Sequence, residues 1–163
     1  MFPERLTQLA LLTMDDAAEK RLRIVTAESC TGGLVAALFT DLAGSSKVFE
    51  RGFVTYSNRA KEEVLGVPGD MLADYGAVSE PVVRMMAEGA LENSRANIAV
   101  AITGIAGPGG GTPMKPVGTV HFACIRENRA MVHEMRQFGD IGRHEVRLAS
   151  VELGLEMIRS QIA

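Results

Sequence analysis

The sequence predicts an α/β protein, a single three-layer α/β/α sandwich on a mixed, largely parallel sheet. Two short runs, "LRIVT" at 22–26 and "NIAVAIT" at 97–103, have the character of strands buried inside such a sheet. "VFERGFVTYS" at 48–57 is rich in β-branched and aromatic residues and predicts a strand with alternating faces. Segments with helical periodicity precede, separate and follow these strands. Strands near 117–126 and 130–138, joined at "ENRA", predict a hairpin that makes the sheet mixed.

Helix boundaries follow from apolar spacing and from residues that favour helix ends. Pro3 suits a first helical turn, and apolar residues then recur at helical spacing as far as Lys20. Glycine ends two of the helices, and a small polar residue begins several of them. The predicted helices cover residues 3–20, 33–42, 58–65, 79–94 and 140–161. Their predicted boundary residues are Gly44, Ser57 or Asn58, Gly66, Ser79 and Asp140, with a further short turn at Asp70.

Length and charge exclude several classes of protein. The 163 residues have the length of one domain, residues 1–163. The net charge of −3 and the lack of a dense Lys/Arg block argue against general nucleic-acid binding. No apolar run is long enough to span a membrane, and acidic residues near the start argue against a secretory signal. We therefore expect a cytoplasmic protein that binds neither nucleic acid nor membrane; a homo-oligomer is compatible with the sequence.

Two glycine-rich loops are expected to meet at one edge of the sheet. In open α/β sheets, ligands bind beyond the carboxyl ends of the parallel strands, which Ala27–Gly33 and Gly104–Pro116 both follow. The first loop leads into a helix, so the N–H groups of Thr31, Gly32 and Gly33 are expected to be unpaired and to point outward. Such groups hold either a phosphate or the oxyanion of a tetrahedral intermediate. The loop matches neither GxxxxGK nor GxSxG, so the pattern alone does not decide between them.

Ser29, in the first loop, is either a helix cap or a nucleophile. A nucleophilic serine needs a base, and the three histidines fall in predicted strands or in the last helix, which disfavours a Ser-His-Asp triad. Lys61 serves as base if burial and a helix N-terminus lower its pKa. Spacing alone, however, favours an exposed Lys61 and a core position for Tyr56. Arg143 and Arg147 lie one turn apart at the start of the last helix, and they are either surface charges or include a phosphate contact.

Four segments together resemble a known family. They are "AESCTGG", "ERGFVTYSNRAKEEVLGV", "YGAVSEPVVRMMAEGAL" and "ITGIAGPGGGTPMKPVGTV". In this order they resemble the C-terminal domain of the competence/damage-inducible CinA proteins and the stand-alone nicotinamide-nucleotide amidases related to it. The resemblance runs from about residue 5 to the C-terminus and leaves no room for the nucleotide-pyrophosphatase-like domain of full-length CinA. We therefore expect the short, amidase-only form.

The resemblance implies an amidohydrolase that acts without a metal or other cofactor. Its small-molecule substrate is nicotinamide mononucleotide, which it converts to nicotinate mononucleotide and ammonia in pyridine-nucleotide recycling. Carried over residue by residue, Ser29 is the nucleophile and Lys61 is the general base. Tyr56 orients this pair or the substrate.

The resemblance also implies how the substrate is bound. Thr103 and the glycines of "TGIAGP", among them Gly104, line the pocket, and Arg143 is a candidate phosphate contact. We infer that the N–H groups from Thr31 to Gly33 stabilise the oxyanion, while the phosphate lies elsewhere. Two alternatives stay open. One is a non-catalytic nucleotide-binding module with a competence- or damage-related role, and the other is an amidase for another substrate, such as free nicotinamide.

Overall fold

The computed structural model describes residues 1–163 and contains one five-stranded sheet between two helical layers. The sheet has the order β2-β1-β3-β4-β5, in which β1 is parallel to β2 and β3 while β4 is antiparallel to both its neighbours. The predicted mixed α/β/α sandwich is therefore confirmed. The strands are β1 (Ile24–Glu28), β2 (Phe49–Val54), β3 (Ile98–Gly104), β4 (Thr119–Arg126) and β5 (Val132–Gln137).

Six α-helices cover the two faces of the sheet, three on each. α1, α2 and α6 pack together on one face, and α3, α4 and α5 pack together on the other. Each layer encloses its own apolar cluster against the sheet. The helices are α1 (Glu4–Glu19), α2 (Leu34–Thr40), α3 (Asn58–Leu65), α4 (Gly69–Tyr75), α5 (Glu80–Glu92) and α6 (Arg143–Ile162).

Side-chain alternation along β1 determines which residues reach the site. Ile24 packs in the cluster beneath α1, α2 and α6, whereas Val25 and Ala27 pack in the cluster beneath α3, α4 and α5. Successive residues of a strand point to opposite faces. Continued past the end of β1, this alternation sends Glu28 towards α2 and Ser29 towards α3.

Most helix boundaries agree with the sequence, and two predicted caps are wrong. Ser57 caps α3 through its side chain, and Gly66 ends α3 in the left-handed conformation that favours glycine. Asp140 does not cap α6, because the chain makes a further glycine turn and the helix begins only after Gly142. Asp70 lies inside the first turn of α4 rather than before it, since the capping position is occupied by Pro68.

The helix that carries Lys61 is held against α5 by a backbone contact. Gly89 in α5 is buried, and a Cβ atom at this position would overlap the carbonyl oxygen of Leu65 at the end of α3. Glycine here allows the two helices to approach more closely than any other residue would. Close packing of α3 on α5 in turn keeps the first turn of α3 next to the end of β1.

Gly89→Ala should lower the free energy of unfolding by about 2 kcal/mol, because the added methyl group meets rigid backbone and overpacks the interface. Urea unfolding measures the change. The matched control is Gly154→Ala in α6, where the new Cβ would meet side chains alone, the flexible end of Ile102 at 3.1 Å and Val100 at 3.8 Å. Equal stability of the two variants would show that α3 and α5 can move apart to accommodate the methyl group at little cost in free energy.

Candidate active site

The predicted site residues converge on one cavity at the carboxyl edge of the parallel strands. The cavity has a volume of about 240 Å³ and is formed by the loops after β1, β2 and β3, the segment before α5 and the start of α6. Six residues singled out from the sequence line it: Ser29, Tyr56, Lys61, Thr103, Gly104 and Arg143. The two glycine-rich loops therefore meet, as the sheet geometry predicts.

Ser29 and Lys61 form a direct hydrogen bond at the bottom of this cavity. The Ser29 Oγ atom lies 2.9 Å from the Lys61 Nζ atom, although the two residues are 32 positions apart. Both side chains are withdrawn from solvent, with 7% of Ser29 and 1% of Lys61 exposed. The expectation from spacing that Lys61 is an exposed helix lysine is wrong, and so is a helix-capping role for Ser29.

Two backbone carbonyl groups orient the Lys61 amine. Nζ lies 2.9 Å from the carbonyl oxygen of Thr55 and 3.0 Å from that of Tyr56. A neutral amine has two N–H bonds and one lone pair. When the two N–H bonds donate to these carbonyls, the lone pair is left for the third neighbour, the hydroxyl of Ser29. The lone pair of neutral Lys61 is therefore oriented to accept the proton of the Ser29 hydroxyl.

The protein also lowers the pKa of Lys61 into the range in which an amine can act as a base near neutral pH. Burial lowers the pKa of Lys61 from 10.5 to about 8, because desolvation disfavours the ammonium form. Lys61 takes part in no salt bridge that would offset this effect. A measurable fraction of Lys61 is therefore neutral at physiological pH, as a general base requires.

Cys30, which follows Ser29 in the chain, does not compete with it as a nucleophile. Burial raises the pKa of the Cys30 thiol to about 12. The thiol is thus protonated at neutral pH, and only a thiolate is an effective nucleophile. The Cys30 side chain instead packs in the apolar cluster beneath α1, α2 and α6.

Thr31, Gly32 and Gly33 are not among the residues that line the cavity. The N–H of Gly32 donates to the carbonyl oxygen of Ser29, whereas the N–H groups of Thr31 and Gly33 donate to no backbone carbonyl. The start of α2 is occupied by the buried carboxylate of Glu28, a residue that we did not single out from the sequence. The alternation along β1 directs this carboxylate beneath α2, where a negative charge offsets the helix dipole. It accepts hydrogen bonds from Val35 N at 2.9 Å, Ala36 N at 3.1 Å and Thr31 Oγ1 at 2.7 Å.

The mouth of the cavity carries an arginine and a tyrosine. Arg143 donates to the carbonyl oxygen of Gly107 at 2.7 Å and to the hydroxyl of Tyr56 at 3.3 Å. Tyr56 is 62% exposed, so the expectation of a core aromatic is wrong. Thr103 is buried and donates to the carbonyl oxygen of Ala77, which fixes the wall of the cavity below the glycine loop.

Arg147, one turn after Arg143, lies on the other side of the Ser29 loop. Its Nε donates to the carbonyl oxygen of Cys30 and its Nη2 to that of Thr31, both at 3.1 Å. Sequence reasoning placed it on the surface or at a phosphate. The only sequence signal for this role is its position four residues after Arg143.

Two further findings concern membranes and metals. None of the helices combines the length and the apolar character that crossing a membrane requires. No three His, Cys, Asp or Glu side chains converge closely enough to form a metal-binding group.

The fold and the site define a class of three-layer α/β proteins with a serine–lysine pair at the carboxyl edge of the parallel strands. The family model of the CinA C-terminal domain matches residues 6–162, and the chain belongs to this family.

Similar proteins of known sequence support this family assignment. A CinA-like protein of Anaeromyxobacter dehalogenans is 54% identical over 159 residues, which are 98% of this chain and 38% of that protein. A CinA-like protein of Mycobacterium sp. (strain MCS) is 53% identical over 138 residues, 83% of this chain and 32% of that protein. The chain thus spans about a third of the length of these curated relatives.

Solved structures show the same fold over nearly the whole chain. The competence/damage-inducible protein CihA of Agrobacterium tumefaciens is 51% identical and superposes with a TM-score of 0.97, covering 99% of this chain and 98% of that one. A CinA superfamily protein of Escherichia coli is 32% identical, with a TM-score of 0.90 and coverage of 100% and 94%.

Burial of Lys61 should make the stability of the protein depend on pH in a defined window. Below pH 8 the amine is charged in both states, and the cost of burying it is fully present. Between pH 8 and 10.5 the folded state has released the proton while the unfolded state still binds it, so stability rises with pH. Relative to Lys61→Met, which lacks the titrating group, the wild type should gain about 3 kcal/mol across this window.

Urea unfolding of the two proteins from pH 7 to pH 10.5 measures this difference. Lys47→Met, at an exposed position, is the control and should follow the wild type throughout. Parallel stability curves for the wild type and Lys61→Met would mean that the pKa of Lys61 is not lowered.

Proposed function

We propose that this protein is a nicotinamide-nucleotide amidase, which hydrolyses the carboxamide of nicotinamide mononucleotide to nicotinate mononucleotide and ammonia. The proposal depends on one observation, the 2.9 Å contact between the Ser29 hydroxyl and a buried lysine that has no carboxylate partner. Burying an unpaired amine is unfavourable for folding, and strongly shifted groups of this kind concentrate at functional sites. The resemblance of four sequence segments to nicotinamide-nucleotide amidases supports the choice of substrate.

The proposed reaction proceeds through an acyl-enzyme. Lys61 accepts the Ser29 proton as Oγ attacks the carboxamide carbon, and the carbonyl oxygen becomes an oxyanion. Collapse of this intermediate breaks the C–N bond, and the Lys61 ammonium gives its proton to the departing ammonia. Lys61, neutral again, then takes a proton from water as that water attacks the ester. The acid is released and the Ser29 hydroxyl is restored.

Charge at the mouth of the cavity supports a phosphorylated substrate. Arg143 is the only cationic side chain besides the buried Lys61 among the lining residues. Guanidinium groups bind phosphate well because their N–H donors match its oxygens. The carboxamide at Ser29 and the phosphate at Arg143 would then lie at opposite ends of the bound nucleotide.

Ammonia release from nicotinamide mononucleotide by the purified protein tests the proposal directly. Ser29→Ala and Lys61→Arg should each lower kcat at least about 1,000-fold, since a serine–base pair acts as a unit. Arginine keeps the positive charge but has no accessible neutral form, so it cannot act as the base. Ser46→Ala and Lys47→Arg alter exposed residues and should remain fully active.

The outcomes separate the proposal from its alternatives. A folded wild-type protein that releases no ammonia would favour a non-catalytic nucleotide-binding module. Substantial activity of Lys61→Arg would reduce Lys61 to a source of charge and refute the Ser/Lys mechanism. Loss of wild-type activity in the presence of a chelator, restored by a divalent ion, would favour a metal-activated water instead.

The pH profile of the wild-type enzyme provides a separate check on the base. The rate should rise with pH through one ionisation near pH 8, because burial lowers the pKa of Lys61 to about 8 and only its neutral form accepts a proton. Measurement of kcat/KM from pH 6 to pH 10 gives the profile of the free enzyme. A rate that is flat across this range would exclude Lys61 as the base.

Arg143→Ala should raise KM for nicotinamide mononucleotide more than it lowers kcat, because a phosphate contact is made equally in the ground and transition states. Nicotinamide riboside, which lacks the phosphate, serves as the matched substrate, and its KM should hardly change. An equal loss with both substrates would mean that Arg143 acts through its bonds to Gly107 and Tyr56 rather than on a phosphate.

A further inference from the structure

The backbone of Cys30 is suited to contact the reacting carbonyl group. Cys30 lines the cavity beside Ser29, while its side chain packs in the apolar cluster on the other side of the loop. The part of Cys30 next to the cavity is therefore its backbone. The Cys30 N–H donates to no oxygen and approaches only the sulfur of its own side chain, a weak acceptor, whereas the N–H of Ser29 is bonded to the carbonyl oxygen of Ile102. Backbone N–H groups in folded proteins nearly always have a strong acceptor, so this weakly bonded donor is available to a ligand.

A chain of hydrogen bonds connects this N–H group to Arg147. The guanidinium Nη2 donates to the carbonyl oxygen of Thr31 at 3.1 Å. That carbonyl shares a peptide unit with the N–H of Gly32, which donates to the carbonyl oxygen of Ser29 at 3.0 Å. The Ser29 carbonyl in turn shares a peptide unit with the N–H of Cys30. Two peptide units thus join a permanent positive charge to the Cys30 N–H.

Such a chain strengthens the donor at its end. A hydrogen bond accepted by a peptide carbonyl polarises the N–H of the same peptide unit, and successive bonds reinforce one another. The guanidinium is charged at every pH at which proteins fold, so the polarisation is permanent. Arg147 takes part in no salt bridge, so its guanidinium donates to backbone carbonyls and not to a carboxylate.

We propose that Arg147 is a positioning residue that fixes and polarises the Cys30 N–H as an oxyanion donor. The inference rests on the proposed amidase reaction and deepens it. Glu28 holds the same loop through Thr31 Oγ1 at 2.7 Å. Negative charge develops on the substrate oxygen only in the transition state, so the donor acts on kcat rather than on substrate binding.

Replacing the carbonyl oxygen of the substrate by sulfur provides the test. Ammonia release is measured with nicotinamide mononucleotide and with its thioamide analogue, in which the developing anion is a sulfur that accepts hydrogen bonds poorly. Arg147→Ala should lower kcat for the oxygen substrate about 10-fold to 100-fold, somewhat less than direct removal of an oxyanion donor, with little change in KM. The kcat for the thioamide should fall much less. The ratio of kcat for the oxygen substrate to kcat for the thioamide should therefore fall.

A purely structural role for Arg147 would lower both rates equally and leave the ratio unchanged, and this result would overturn the inference. Arg159→Ala is the matched control, because Arg159 lies on the same helix but is bonded to Asp16 away from the cavity. Its ratio should equal that of the wild type. Arg147→Gln keeps one donor but removes the charge, so its ratio should also fall, and it decides the question if Arg147→Ala does not fold.

The two proposals fail in different ways. Wild-type protein that releases no ammonia from nicotinamide mononucleotide overturns the proposed function and the inference with it. Wild-type activity combined with an unchanged ratio in the Arg147 variants overturns the inference alone.

Discussion

The site is organised around an amine that the protein buries without a counter-charge. The Lys61 side chain is enclosed by Ser29 and by the carbonyl groups of Thr55 and Tyr56, which bind its hydrogens but supply no negative charge. A carboxylate in the same place would stabilise the ammonium form and remove the base. The fold offsets this unfavourable burial elsewhere, through the two apolar clusters and through the close contact of α3 with α5 at Gly89. The chemistry of the site therefore depends on keeping acidic groups away from one nitrogen.

Two adjacent residues at the end of β1, Glu28 and Ser29, make different contacts. Glu28 and Ser29 point to opposite faces of the sheet because side chains alternate along a strand. One satisfies the N-terminal N–H groups of α2, and the other meets Lys61 beneath α3. Exchanging their order would bring a carboxylate to the lysine and a hydroxyl to the helix. The strict alternation of the strand thus keeps the acidic side chain out of the cavity.

The sequence predicts the fold well because its signals are local. Apolar runs define β1 and β3, and the cap at Ser57 and the terminator at Gly66 bound α3 within the chain segment that forms it. The pairing of Ser29 with Lys61 came from the family resemblance, since spacing alone favoured an exposed lysine. Burial of Lys61 depends on packing between segments far apart in the chain, which periodicity cannot report. The contact of Arg147 with Cys30 spans 117 residues and leaves no pattern around either residue.

The buried carboxylate of Glu28 also affects the electrostatic potential inside the cavity. The positive end of α2 is already neutralised from within the protein, so an anionic ligand group gains little from the dipole of this helix. The permanent positive charge of the cavity lies at its entrance, on Arg143, whereas the Lys61 amine at the bottom is charged only below a pH of about 8. Once Lys61 is neutral, the remaining attraction for an anionic group is therefore at the entrance, and Glu28 shapes this distribution of charge from outside the cavity.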